Sequence, residues 1–394
     1  MDVIDYLKQY QDISFKEAPF NEIDALVLAM VSYVPFDELK VSDKKIKDSE
    51  LLEYIEAYKP PRSASERKLK YIEVLSLVCK AKRYDKALFY NFKKIRDKEA
   101  DKQFQAVTII LKDFIYISYC GTDATVLGWK EDFNMAILEI VPSEIEAIKY
   151  ANEIADHVWF KKIYLGGHSK GGRLAITAAK GLNNKRRLNA IFAFDAPNYP
   201  SSCYDADYKK IDNYILSYAP NESIIGRLMN EYHQKRIVKS TNKLLMQHDA
   251  FSWVIEDRSF VYDNDYTEQS NKIVNTINHA LMTYDEEKKR QFIDTLFDYL
   301  DRLHVDKLPG EKDLIPFAVK MIPVLFAEWK NTPKENRDVV KKNNLRFTQR
   351  LLFNQLSMAW IFVWFLAWFL FWLKEFCFFP LEVFKDAIGD ATST

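Results

Sequence analysis

The sequence predicts an α/β protein: a mainly parallel sheet flanked by helices, with a helical C-terminal appendage and a final hydrophobic helix. Three observations carry that expectation. Short apolar runs alternate with helix-period segments from about residue 104 to 240. Four glycines, Gly166, Gly167, Gly171 and Gly172, fall within seven residues between one such run and a helical segment. A run of eighteen uncharged residues, 356–373, lies near the C-terminus.

Taken in order, residues 1–100 read as mostly helical and charged. In "NEIDALVLAMVSYV" a helical apolar run follows Asn21, a residue suited to an N-cap. From Phe104 the period changes. "FQAVTIIL" and "FIYISYC" are β-rich and joined by Lys112 and Asp113, which predicts a hairpin. "PSEIEAIKYANEIADHV" predicts a helix with a capping box between Ser143 and Glu146, behind Pro142. "KIYL", "LNAIFAFD", "DNYILSYAP" and "KRIVKS" are further strand candidates, and a helix fills the gap after the glycines. The domains expected are 1–260, residues 261–350 as the helical appendage, and 356–373 as a membrane-associated helix.

Composition narrows the function. At 394 residues and 48% hydrophobic, the chain can bury a sizeable core without disulfide or metal staples. Lys plus Arg and Asp plus Glu balance at 56 each, so there is no basic excess of the kind nucleic acid calls for. The four cysteines, Cys79, Cys120, Cys203 and Cys377, show no CxxC spacing, which predicts no metal and a reducing compartment. Neither P-loop nor G-x-G-x-x-G spacing occurs, and no cofactor is expected.

The opening "MDVIDYLKQYQDISF" lacks the basic and apolar regions of a signal peptide. In "LSMAWIFVWFLAWFLFWL" tryptophans recur at 360, 364, 368 and 372, one stripe of a helix. Lys341, Lys342, Arg346 and Arg350 precede it, which orients the preceding chain to the cytoplasm. The expected location is therefore cytoplasmic, anchored to the inner face of the cell membrane.

The glycines surround Ser169. Gly167-His168-Ser169-Lys170-Gly171 fits G-x-S-x-G with a strand before it and a helix after, the context of a nucleophile elbow. Such a turn strains the serine backbone and projects its hydroxyl from the carboxyl end of the sheet. A serine there needs a base and a group to orient that base. Among six histidines, His248 in "LLMQHDAFSW" follows the last strand candidate, matching the chain order serine, acid, histidine. Two acids compete at strand ends, Asp195 in "FAFDAPNYP" and Glu222 in "YAPNES"; Asp195 is favoured for its shorter side chain. The Lys170 amide is one candidate oxyanion donor, and Thr122, after Gly121, lies in the loop suited to supply the other. Cys120 is expected to be a buried small hydrophobe.

These segments, "CGTD…GWKEDF", "GGHSKGG", "FDAP", "APNESIIG" and "QHDAFSW", together resemble the bacterial Mbeg-like family, an α/β-hydrolase group similar to class 3 lipases. The likeness spans roughly residues 1 to 300. It implies an α/β-hydrolase fold with Ser169 as nucleophile, Thr122 at the oxyanion position, and Trp129 and Asp132 supporting it. Cys120 stands where those lipases carry an arginine, and their acid lies nearer to Glu222 than to Asp195. The function expected is a serine hydrolase cleaving carboxylic esters, membrane lipids among them, with a small-molecule or lipid ester as its partner. The alternative is a non-catalytic, membrane-anchored scaffold on a hydrolase fold.

Overall fold

The computed structural model describes residues 1–283 except 40, 42–44 and 124, with isolated positions from 286 to 301. Eight strands form one sheet: β1 (Ile46–Lys47), β2 (Leu88–Asp97), β3 (Lys102–Ile110), β4 (Phe114–Tyr119), β5 (Lys162–His168), β6 (Leu188–Phe194), β7 (Ile215–Pro220) and β8 (Arg236–Val238). Their spatial order follows the chain, β1 to β8. The pairs from β1 to β4 are antiparallel, and those from β4 to β8 are parallel. The helices are α1 (Val3–Tyr10), α2 (Glu22–Val31), α3 (Asp48–Ala57), α4 (Glu66–Lys80), α5 (Val126–Met135), α6 (Pro142–His157), α7 (Lys170–Lys180), α8 (Ala206–Lys209) and α9 (Glu268–Thr283).

Parallel neighbours in chain order require crossovers that all advance the same way, and a single handedness puts their helices on one face. That face holds α6 and α7 against Ile115, Ile117, Ile163, Leu165, Ile191 and Ala193. The other face is covered by α1, α2 and α4, packed on Tyr116, Phe192, Phe194 and Tyr218. Consecutive residues of β4 and β6 thus belong to opposite cores. This is why the strands read as unbroken apolar runs rather than as alternating ones. Each large side chain buried this way contributes about 1.5–3 kcal/mol.

The mostly parallel sheet flanked by helices is the arrangement the sequence predicts, and β3–β4 is the expected hairpin. Asn21 caps α2, accepting from the Ile23 and Asp24 amides. Two expectations need correction. Residues 1–100 are not mostly helical throughout, because they contain β1 and β2. β2 is half-exposed and bulged between Tyr90 and Lys93, with Asn91 at φ 52°, so its polar side chains never settle into a period of two. At the start of α6 the Val141 amide donates to Glu144 Oε2 at 3.0 Å, in place of the expected box between Ser143 and Glu146. Pro142 already occupies the first helical position, which places Ser143 inside the first turn.

The first compact unit spans Met1–Glu286, beyond the boundary expected at 260. Within it, α9 is pinned by Asn278, which accepts from the Met229 amide at 2.7 Å and donates to the Arg227 carbonyl at 2.9 Å. The hydrophobic stretch 356–373 and nearly all of the appendage, 261–350, past α9 lie outside the described residues. Among the described residues no helix is long and apolar enough to cross a membrane.

Candidate active site

Parallel strands gather their carboxyl ends along one edge, and the predicted residues follow those ends. Ser169 comes directly after β5, Asp195 directly after β6, Glu222 two residues after β7, and Thr122 three residues after β4. His248 closes a short 3₁₀ turn, Leu244–His248, beyond β8.

Ser169 joins β5 to α7 with φ 59° and ψ −134°, a conformation rarely tolerated by a side-chain-bearing residue. Its amide is held by the Phe194 carbonyl at 2.8 Å, and its own carbonyl receives the Gly172 amide at 3.0 Å. No glycine here has positive φ, so the serine alone carries the strained dihedral. The glycines serve close approach instead. A Cβ on Gly167 would collide with the Gly171 backbone, and one on Gly171 with the Tyr119 carbonyl. Neither obstacle is a flexible side chain. Gly171→Ala is therefore expected to displace α7 from β4, and both the thermal midpoint and any reactivity of Ser169 should fall together.

Ser169 is half-buried. The His248 ring centroid is 4.6 Å from that of His168, the residue before the serine. His248 Nδ1 meets Asp195 Oδ2 at 2.6 Å, with the carboxylate 1% exposed and the imidazole 27%. A carboxylate only accepts, so Nδ1 carries the proton and a neutral ring keeps its lone pair on Nε2. Burial alone would raise the Asp195 carboxyl. The hydrogen bond and charge of His248, with the Ser223 hydroxyl at 2.5 Å, outweigh it and hold the group below the ordinary carboxylate range.

Glu222 stands elsewhere. It accepts from the Leu244 amide at 2.7 Å and from Gln247 Nε2 at 3.1 Å, and so secures the turn that ends in His248. The structure thus puts Asp195, not the alternative Glu222, on the imidazole. His168 also has a place that sequence reasoning left open. Its Nε2 lies 2.7 Å from the His248 carbonyl, and Tyr33 Oη is 3.1 Å from its Nδ1. Since a carbonyl only accepts, Nε2–H donates to it. Burial and then the neighbouring His248 ring push His168 down to about 3, so it stays neutral at working pH. No motif announces Tyr33 or Ser223.

On the other side, Thr122 Oγ1 donates to Asp132 Oδ2 at 2.6 Å. Burial pushes the Asp132 carboxyl up to about 6, against the charge of Lys170 and that hydrogen bond. The Lys170 amide opens α7, where first-turn N–H groups have no intrahelical partner. Trp129 is 37% exposed on α5. Cys120 is buried, and burial raises its thiol, which leaves it protonated and unreactive. Among the described residues no cluster of His, Cys, Asp and Glu is arranged to hold a metal ion.

The sequence pattern of the Mbeg1-like family matches residues 78–298, more than half of the chain. The chain belongs to the Mbeg1-like family. Residues 1–77, which the sequence resemblance also took in, lie outside the matched range. Three solved structures are similar to this family member, each with a TM-score of 0.33. M37 lipase is 14% identical, over 59% of this chain and 79% of its own. A fungal lipase in an inhibitor complex is 11% identical, over 61% and 80%. The lipase from Rhizopus microsporus var. chinensis is 13% identical, over 66% and 84%. No curated protein matches the chain.

Proposed function

We propose that the chain is a serine ester hydrolase that acts on carboxylic esters, including lipid esters. One observation carries the reading: a buried carboxylate 2.6 Å from the Nδ1 of an imidazole whose ring is 4.6 Å, centroid to centroid, from that of His168, the residue before a serine with φ 59°. In the reaction, Ser169 Oγ attacks the ester carbonyl carbon while His248 Nε2 takes its proton. The Thr122 and Lys170 amides hold the oxyanion. Collapse of the tetrahedral adduct expels the alcohol, which recovers the proton from His248 and leaves an acyl group on Ser169. Water, deprotonated by the same nitrogen, then attacks the acyl carbon and releases the acid. Asp195 stabilises the imidazolium formed in each half.

We place the enzyme at the inner face of the cell membrane, held by the stretch 356–373. Confinement there raises the frequency of encounter with lipid and leaves the chemical barrier unchanged.

Ser169→Ala is expected to lose labelling by a fluorophosphonate and to cut p-nitrophenyl butyrate hydrolysis by about 10⁵–10⁶-fold. Equal labelling of the folded variant and the wild type would overturn the assignment of the nucleophile. Full biological activity in Ser169→Ala would support the non-catalytic scaffold instead.

A further inference from the structure

The residue after the serine is a lysine, and its side chain is almost wholly buried. Lys170 is 1% exposed at its side chain, and Glu131, its ionic partner on α5, is 0% exposed. The ammonium has three protons and finds three acceptors: the Gln103 carbonyl at 3.0 Å, Gln103 Oε1 at 2.5 Å and Glu131 Oε2 at 3.1 Å. Glu131 is equally occupied. Its Oε2 also accepts from the Gln103 amide at 2.9 Å, and its Oε1 from the Ser143 amide at 2.8 Å. The start of α7, the start of β3 and the start of α6 therefore meet on one carboxylate.

The next residue along α5 is Asp132, which holds the Thr122 hydroxyl. Consecutive carboxylates on one helix thus anchor both segments that supply the oxyanion donors. Glu131 fixes Lys170, and Asp132 fixes Thr122. Stability alone does not account for a charge pair here, because apolar residues of similar volume commonly replace such pairs without loss. Fixed geometry does. Oxyanion donors work only when held at hydrogen-bond distance from the developing charge, without having to reorganise.

We infer that the Lys170 side chain and Glu131 are a positioning pair that sets the spacing of the two oxyanion donors through α5. The inference rests on the hydrolase reading of Ser169 and adds a task for a side chain that reading does not use. Cys120 stands in the position where the resemblance would put an arginine. The loop that carries Thr122 is held instead from α5, by Asp132.

The test compares full-length wild type, the neutral pair Lys170→Met/Glu131→Gln, and Gln103→Leu, with p-nitrophenyl butyrate as substrate. For the neutral pair, kcat is expected to fall about ten- to a hundredfold with KM within about twofold of wild type. The unfolding midpoint should stay close to that of the wild type. Gln103→Leu removes one acceptor only and should lower kcat several-fold with KM unchanged; it decides the matter if the double variant does not fold. Unchanged kcat in a folded variant would overturn the inference. So would a parallel loss of kcat, KM and thermal midpoint, the pattern of a merely structural contact. Wild type that neither hydrolyses the ester nor takes the fluorophosphonate removes the hydrolase reading and this inference together, whereas active wild type with unaffected variants removes the inference alone.

Discussion

Asp195→Asn is expected to lower kcat about ten-thousandfold, with little change in KM. The wild-type carboxylate accepts from His248 Nδ1 at 2.6 Å and thereby leaves Nε2 free of its proton. An amide offers a donor as well as an acceptor, and the imidazole can answer by moving its proton to Nε2. In that tautomer the ring cannot take a proton from Ser169. A loss of 10⁴, about 5.5 kcal/mol, is the scale set by removing the orienting carboxylate from a serine–histidine pair. Glu222→Gln is the control. It keeps a carbonyl for the Leu244 amide and should cost only a few-fold, through the fit of the His248 turn. The opposite ranking would hand the orienting role to Glu222. A second signature concerns stability. The folded-state pKa of Asp195 is depressed, so its contribution is present above the unfolded-state value of about 4 and fades as pH falls through the folded-state value. Below about pH 4 the stabilities of wild type and Asp195→Asn should converge, as acid titration of both unfolding midpoints would show.

The parts of this site that were legible in the sequence are those fixed by local geometry. A serine between glycines, with a strand on one side and a helix on the other, dictates a tight turn wherever it occurs. Strand ends and chain order narrow the acid to Asp195 or Glu222 and point to His248, but they do not choose between the two acids. What stayed hidden depends on partners distant in the chain. Lys170 finds Glu131 and Gln103, 39 and 67 residues earlier. Tyr33 reaches His168 across 135 residues. No periodicity records such contacts, because a buried lysine and a solvated one look alike in a sequence. β2 was missed for a different reason: its bulge and half-exposed faces erase the alternation by which strands are recognised. The start of α6 shows the limit of motif spacing, where two residues of register moved the cap from Ser143 to Val141.

Arg83→Met is expected to destabilise the first unit by about 3–5 kcal/mol, the usual result of stripping a buried charge of its partner. Asp24, on the first turn of α2, is 0% exposed and accepts from Arg83 Nε at 2.6 Å and Nη2 at 2.5 Å. The Tyr84 and Tyr6 hydroxyls add bonds at 2.9 and 3.1 Å. Arg83 in turn donates to the carbonyls of Ile13 and Ala18 at 2.9 and 3.1 Å, tying down the segment between α1 and α2. With methionine in its place, the Asp24 carboxylate keeps its burial and loses its cation. The thermal midpoint of the full chain should drop by on the order of 10 °C. Asp24→Asn added to Arg83→Met removes the stranded charge and should recover a large part of that loss, which a sum of independent effects would not predict. If the double variant is as unstable as the two single losses added together, the pair acts by packing rather than by charge. The consequence reaches the candidate site, because α2 runs directly into Tyr33 and so to His168 and the carbonyl of His248. Local unfolding of α2 in Arg83→Met should therefore reduce the reactivity of Ser169 at temperatures below the main unfolding transition.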